Sequence, residues 1–306
     1  MHISVLLEES LKYLNLKDDS IVVDMTLGYG GHSSEILKRI IRGYLFAFDQ
    51  DADAIKASNE KLTKISNNFE IINSNFVNLK NELEKREVKK VNAILFDLGV
   101  SSPQLDTTDR GFSFHNDAVL DMRMDQTSKL SAYEVVNNYS YDELVNIFYK
   151  YGEEKYAPSI AKNIIKKRTI KEIVTTNELV EIIKSSVPEK YKRDKHPARK
   201  VFQAIRIEVN NELEVFEKAL KDSLDLIDVG GRVCVITFHS LEDKICKSIF
   251  KEYSDVDKNL AKLPIIPEIY KPKYKVIGQM NATDEEIKIN NRARSAKLRV
   301  IERIKE

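Results

Sequence analysis

Three stretches of this sequence carry side chains with chemical use. The first is Asp24-Met25-Thr26-Leu27-Gly28-Tyr29-Gly30-Gly31-His32-Ser33. Glycines let a backbone turn tightly and approach a ligand, and a helix that follows offers unpaired N–H donors. The spacing fits G-x-G, but Ser33 stands where the dinucleotide fingerprint has its third glycine, and there is no Gly-Lys-Ser/Thr phosphate loop. The second is Asp49, which closes Phe46-Ala47-Phe48-Asp49. An acid at that place accepts hydrogen bonds from both hydroxyls of a ribose, although Asp also caps helices. Glycine turn and acid together point to a nucleoside, without separating NAD from S-adenosylmethionine. The third is Leu95-Phe96-Asp97-Leu98-Gly99-Val100-Ser101-Ser102-Pro103-Gln104-Leu105-Asp106. Its polar groups suit a reacting amine, with Asp97 foremost.

The elements around these stretches must bring them to one place. β-rich runs at 21–24, 44–48, 69–72 and 91–97 alternate with helical patterns at 33–41, 52–65 and 77–85. Fully apolar strands alternating with helices predict an α/β fold, a parallel sheet covered on both faces. In such sheets ligands bind beyond the carboxyl ends of the strands, where all three stretches fall. A further strand is expected at 232–237, leading into a helix from about Leu241, and a terminal strand pair at 274–277 and 296–302. Between Asp97 and Arg232 the chain is too long for one crossover. Residues 197–227 read as the single crossover helix, and 106–196 hold helical patterns with few strand signals. A structureless loop of that size is implausible, so an inserted all-helical domain is expected at 106–196, with 1–105 and 197–306 forming the catalytic domain.

The 306 residues can bury a sizeable core, and 42% hydrophobic with 32% charged content is ordinary for a soluble protein. Cys234 and Cys246 make no disulfide framework and have no metal-ligand spacing, so reduced thiols in a cytoplasmic protein are expected. No apolar run reaches the ~20 residues of a membrane span, and Glu8 and Glu9 make the amphipathic start unlike a signal peptide. The net charge of +1 hides an uneven distribution. Residues 155–206 hold 14 Lys/Arg and 5 Asp/Glu, and residues 287–306 hold 7 and 2. Two basic segments on an otherwise acidic chain form a phosphate footprint, or else two solvated helix faces.

Several long motifs, in order along nearly the whole chain, resemble the ribosomal RNA small-subunit methyltransferase H family. They are Gly30-Gly31-His32-Ser33, Asp97 to Asp106, Arg110-Gly-Phe-Ser-Phe114, Leu120-Asp-Met-Arg-Met-Asp125, Tyr151-Gly-Glu-Glu154, His196-Pro197, Phe202-Gln-Ala-Ile-Arg-Ile207, Phe238-His-Ser-Leu-Glu-Asp243 and Asn291-Arg-Ala-Arg-Ser295. The resemblance implies a Rossmann-like class I methyltransferase sheet and N4-methylation of a cytidine in the decoding region of small-subunit (16S) rRNA. It implies S-adenosylmethionine as cofactor, held by Gly30, Gly31, His32, Asp49, Phe76, Asp97 and Gln104. Met25 and Tyr29 depart from the family's usual residues at positions that need not touch the methyl group.

Asp97 is the expected proton acceptor for the amine; the competing role is cofactor binding alone. Phe76 packs on an adenine ring in one reading and in the core in the other. His239, after the fifth strand, lies on the expected site edge as a nucleotide contact or a structural histidine. On the helix from Pro197, the apolar positions Phe202, Ile205, Val209, Leu213 and Phe216 flank a polar stripe of Arg199, Gln203, Arg206 and Asn210. In the family context Arg199 and Arg206 are expected to contact RNA phosphates. The expected partner is small-subunit rRNA or the 30S particle, with no membrane and no metal, and a homodimer remains open. The rivals are a nicotinamide oxidoreductase, a DNA amino-methyltransferase and a non-catalytic ribosome-assembly factor.

Overall fold

The computed structural model describes residues 4–101, 108–194, 196–256, 260–262 and 265–306. The chain divides into two compact units, Met1–Gly99 with Leu213–Glu306, and Val100–Glu212.

The first unit is built on β1 (Ile21–Asp24), β2 (Tyr44–Asp49), β3 (Phe69–Asn73), β4 (Val91–Asp97), β5 (Ile227–Thr237), β6 (Tyr274–Asn281) and β7 (Lys297–Arg303). They form one sheet in the order β3-β2-β1-β4-β5-β7-β6. The first five run parallel, and β7 pairs antiparallel with both β5 and β6. The strands are almost wholly apolar because both faces are covered. Val23, Phe48, Ile94, Phe96 and Val235 point to one core, with Phe216, Leu220, Ile249 and Phe250. Val22, Ala47, Leu95, Cys234 and Ile236 point to the other, with Leu11, Ile36 and Leu37. Side chains alternate along a strand, so neighbouring residues feed opposite layers. Fully burying one such side chain contributes about 1.5–3 kcal/mol.

The fifth strand starts earlier than its sequence pattern indicates. The Gly230-Gly231 pair breaks the apolar alternation, yet β5 runs through it from Ile227, with a register shift against β4. Gly230 has φ +81°, and a Cβ on Gly231 would lie 2.6 Å from the Asn92 carbonyl. Only glycine allows this approach, and its presence disguises the strand.

The second unit is helical: α5 (Ala132–Asn138), α6 (Tyr141–Lys150), α7 (Ala157–Arg168), α8 (Thr176–Ser185), α9 (Glu189–Asp194) and α10 (Ala198–Asn210), after α1–α4 of the first unit (Leu7–Tyr13, Gly31–Leu37, Ala52–Leu62, Leu79–Glu84). Ser140/Glu143 and Thr175/Glu178 form capping boxes that start two of these helices where the sequence places them.

Two expectations are corrected here. The crossover at 197–227 is two helices: α10 ends at Asn211, and α11 (Glu212–Leu226) follows. Asn211 has φ +48°, the left-handed conformation that Asn tolerates better than most residues, and it stops the helix. α10 also belongs to the helical unit and not to the sheet unit, because its apolar face, including Val201, Phe202 and Ile205, is buried against α5, α6 and α8. The apolar stripe of the sequence is continuous, but Phe216 sits in the core of the sheet.

Candidate active site

The register of the parallel strands sets three acids at the carboxyl end of the sheet. Asp24 lies level with Leu95, so Asp97 lies two residues beyond it on β4, and Asp49 ends β2 beside Asn73. The chain leaving β1 stays bonded to both neighbours: Met25 N–H donates to the Leu95 carbonyl and Leu27 N–H to the Phe48 carbonyl, each at 2.9 Å. The glycine loop is therefore threaded between β2 and β4.

Each acid has its own task. Asp24 is buried and accepts from Ser33 Oγ at 2.6 Å and from Thr26 N–H at 3.1 Å. Thr26 Oγ1 in turn accepts from the Asp97 N–H at 2.7 Å. Asp24 opens the glycine motif, and its only signal in the sequence is a lone acid at the end of an apolar strand. Asp49 accepts from the Gly28 N–H at 2.8 Å and the Asp51 N–H at 2.9 Å. Each oxygen keeps a further lone pair, which a ribose hydroxyl can use. Desolvation pushes the Asp49 pKa up to about 6 against these hydrogen bonds.

Asp97 is the most perturbed of the three. Desolvation first, then the charges of Asp24 and Glu242, raise its pKa to about 8. Its side chain keeps 26% exposure, and Oδ2 lies 3.6 Å from Nδ1 of the buried His32. Oδ1 is buried and has no hydrogen-bond partner among the described residues. An orphaned acceptor in a native interior costs about 1–3 kcal/mol, and one held beside a raised carboxyl pKa is a candidate for a functional role.

Gly28 (φ +50°) and Gly30 (φ +68°) take left-handed backbone in the loop. Ser58 Oγ donates to the Gly28 carbonyl at 2.7 Å, pinning the loop to α3. Gly99, after β4, has φ +97°, and the nearest neighbour of an added Cβ would be Phe238 at 3.7 Å. Phe76 is half-buried, edge-on to Phe96 with ring centres 5.8 Å apart, so it joins the core while keeping accessible surface. Gln104 lies outside the described residues.

His239 closes the same edge after β5. Glu242 accepts from the backbone of Phe238 at 2.7 Å and of His239 at 3.2 Å, and its Oε1 lies 3.0 Å from His239 Nε2. The role of Glu242 is not legible in the sequence, since its Coulomb effect on Asp97 depends on the fold. Next to it Asp243 is neutralised by Arg299 at 2.6 Å and Lys297 at 3.3 Å.

In the helical unit the expected polar stripe on α10 is put to other uses. Arg206 makes a bidentate pair with Glu212, both bonds 2.8 Å, at 16% and 12% exposure. Gln203 donates to the Tyr151 carbonyl at 3.0 Å, and Asn210 bridges Met122 and Met124. Gln203 and Asn210 thus tie the Tyr151 and Leu120–Asp125 motifs to α10, so this part of the stripe is an inward seam. Arg206 is already committed; Arg199 is exposed.

The residues present suit a sulfonium nucleoside: Asp49 for the ribose, glycines for close approach, and desolvated carboxylates for a positive charge. The sheet order and the glycine loop and acids at its carboxyl edge are those expected of a class I methyltransferase dependent on S-adenosylmethionine, the class to which the family match assigns the chain. A family model described as the MraW methylase family matches residues 1–304, and the chain belongs to that family. It is 54% identical over 308 residues to a ribosomal RNA small subunit methyltransferase H of Exiguobacterium sibiricum, covering 100% of this chain and 99% of the relative. It is 52% identical to the protein of the same name from Oceanobacillus iheyensis, covering 100% of this chain and 95% of the relative. Among solved structures, an rRNA methylase from Streptococcus thermophilus is similar with a TM-score of 0.45 and 14% identity over 100% of both chains.

Proposed function

We propose that this methyltransferase modifies the exocyclic N4 of a cytidine in the decoding region of small-subunit ribosomal RNA. The relatives' shared name and their 52–54% identity along the full chain support the rRNA substrate. The orphaned Oδ1 of Asp97, at the strand edge that holds the cofactor, carries the chemical half of the reading.

Gly30, Gly31 and His32 line the turn, Asp49 takes the ribose, and Phe76 offers its free ring surface to the adenine. When bound, S-adenosylmethionine supplies an electrophilic methyl carbon. The N4 lone pair is delocalised into the cytosine ring, so the amine must be held in line and its proton removed. The Asp97 carboxylate, whose side chain keeps 26% exposure, accepts a hydrogen bond from the amine and then its proton, with His32 Nδ1 3.6 Å from Oδ2. Positioning contributes about 7–11 kcal/mol and a general base about 3–5 kcal/mol, so holding the amine matters more than basicity. In the free protein Asp97 is largely protonated at pH 7, given its pKa of about 8. A cationic ligand alongside lowers that pKa and readies the base.

The target base must leave its stack to reach such an edge, which unpaired RNA allows most easily. His239, oriented by Glu242, is assigned to the extruded nucleotide, and Arg199 to a phosphate; Arg206 keeps α10 in shape. The helical unit serves substrate recognition. Free, buried Cys234 and Cys246 suit a reducing compartment, and we place the reaction in the cytoplasm. No helix among the described residues is long and apolar enough to cross a membrane.

Mass spectrometry of nucleosides, after incubating naked small-subunit rRNA or 30S particles with enzyme and cofactor, tests the reading. One methyl on the N4 of one cytidine is expected, and the better of the two substrates identifies the working partner. A methyl on another atom, or on DNA in preference to RNA, overturns it.

A further inference from the structure

Three motifs far apart in the sequence have no part in the chemistry above, yet their rings meet inside the helical unit. Phe114 lies 4.6 Å from His196 in a stacked arrangement with planes 21° apart, and 4.4 Å from His115; the two histidine rings are 5.6 Å apart. Phe202 of α10 abuts Phe114 edge-on at 5.7 Å and supports it from the core side.

The loop that delivers Phe114 is held firmly. Gly111 has φ +68°, and an added Cβ would lie 2.3 Å from the Val119 carbonyl, so only glycine fits. Met122 N–H donates to the Arg110 carbonyl at 3.0 Å and closes the loop. Phe112 turns inward and is buried, whereas Phe114, two residues on, is half-buried and His115 is exposed. A cluster that served only packing would be closed over; this one ends in an exposed ring. Burial, then the nearby His115 and Lys184, pull His196 below its ordinary pKa, so the ring is neutral, as a stacking surface should be. Arg199 is exposed in the first turn of α10, its N–H bonded to the His196 carbonyl at 3.2 Å.

We propose that Phe114, His115 and His196 form a stacking platform for one unpaired base of the RNA, with the exposed Arg199 as its phosphate contact. The inference rests on the rRNA reading above and assigns this surface a ligand, a flanking nucleotide distinct from the methylated cytidine. Single-stranded RNA is commonly held this way, its unstacked bases lying on aromatic and histidine rings beside cationic side chains.

The test uses His115→Ala and His115→Trp in the full chain, with rRNA fragments carrying the target cytidine and single abasic substitutions on either side. Methyl-transfer KM and kcat are measured, and fragment binding is followed by fluorescence anisotropy. His115→Ala is expected to raise the KM for RNA about tenfold, with kcat and cofactor affinity within twofold of wild type; His115→Trp restores the KM. One abasic position weakens wild type by a similar factor and adds nothing to His115→Ala. That non-additivity is a signature a merely structural role does not produce. Unchanged KM and anisotropy for His115→Ala on every fragment overturn the platform, as do abasic losses equal in wild type and variant. Wild type that binds and discriminates the fragments but methylates no cytidine overturns the proposed function and leaves the platform standing.

Discussion

Buried acids are handled differently in the two units. In the helical unit each has a side-chain donor: Glu154, fully buried, accepts from the Tyr191 hydroxyl at 2.6 Å and the Tyr156 N–H at 2.9 Å, and the partly buried Glu212 and Glu208 accept from Arg206 and from the Tyr139 hydroxyl at 2.7 Å. In the sheet unit Asp243 is neutralised by Arg299 and Lys297, but at the carboxyl edge Asp49 accepts only from backbone N–H groups among the described residues and Asp97 keeps one oxygen with no hydrogen-bond partner among them. A matched buried acid serves the fold. Acids gathered at one sheet edge, where Asp24 and Glu242 help push up the Asp97 pKa, oppose folding when ionised and are candidates for a functional site.

The contrast breaks most visibly at Asp97. Asp97→Asn is expected to lower kcat by ~10²–10⁴, the worth of a general base, while calorimetry finds S-adenosylmethionine binding retained. Lost binding with no separate effect on turnover makes Asp97 a cofactor ligand only. In wild type, kcat/KM should rise with pH up to about 8 and then level, because the free enzyme must shed the Asp97 proton. A profile flat between pH 6 and 9 excludes Asp97 as the base.

The same residue should behave oppositely for stability. A carboxyl whose folded pKa lies above its ordinary 3.8 favours the fold at low pH, and that contribution is lost as pH rises toward about 8. Apo Asp97→Asn is therefore expected to melt above wild type at pH 8, with the gap narrowing toward pH 4. Scanning calorimetry at the two pH values checks the sign.

Arg206→Ala sharpens the other side of the comparison. It strands Glu212 at 12% exposure, and a cost of roughly 2–4 kcal/mol in denaturant unfolding is expected. Arg206→Ala with unaltered stability but weakened RNA binding returns this residue to the phosphate role read from the sequence. The smallest effect belongs to Arg199→Ala: a few-fold loss of RNA affinity, a salt slope shallower by about one, and no change in melting.

Much of the sheet was readable because a parallel strand covered on both faces is a nearly unbroken apolar run, and glycine turns punctuate the strand ends. β1 to β4 follow that signal within a residue or two. It failed where one residue did two things. Gly230-Gly231 reads as a turn but sits within β5, because the Asn92 carbonyl needs the space. Asn211 ends one helix with no break in the apolar period, so 197–227 reads as one element with one partner. The glycine turn, Asp49 and Asp97 are legible as candidates by type and position, and the fold brings them to one edge of the sheet. Asp24 and Glu242 were not, since their weight comes from the electrostatic environment they share with Asp97.

The amino-acid order alone determined the alternating architecture, the helical insertion, the family and the sheet edge proposed for the chemistry. These depend on periodicity and local turn preference, which act over a few residues. Tertiary structure decided the rest: that Asp97 is left with a raised pKa and an orphaned oxygen, that Arg206 belongs to Glu212, and that Phe114, His115 and His196 share a surface. Such outcomes depend on desolvation and on distances between residues tens of positions apart, and both exist only once the chain has closed around them.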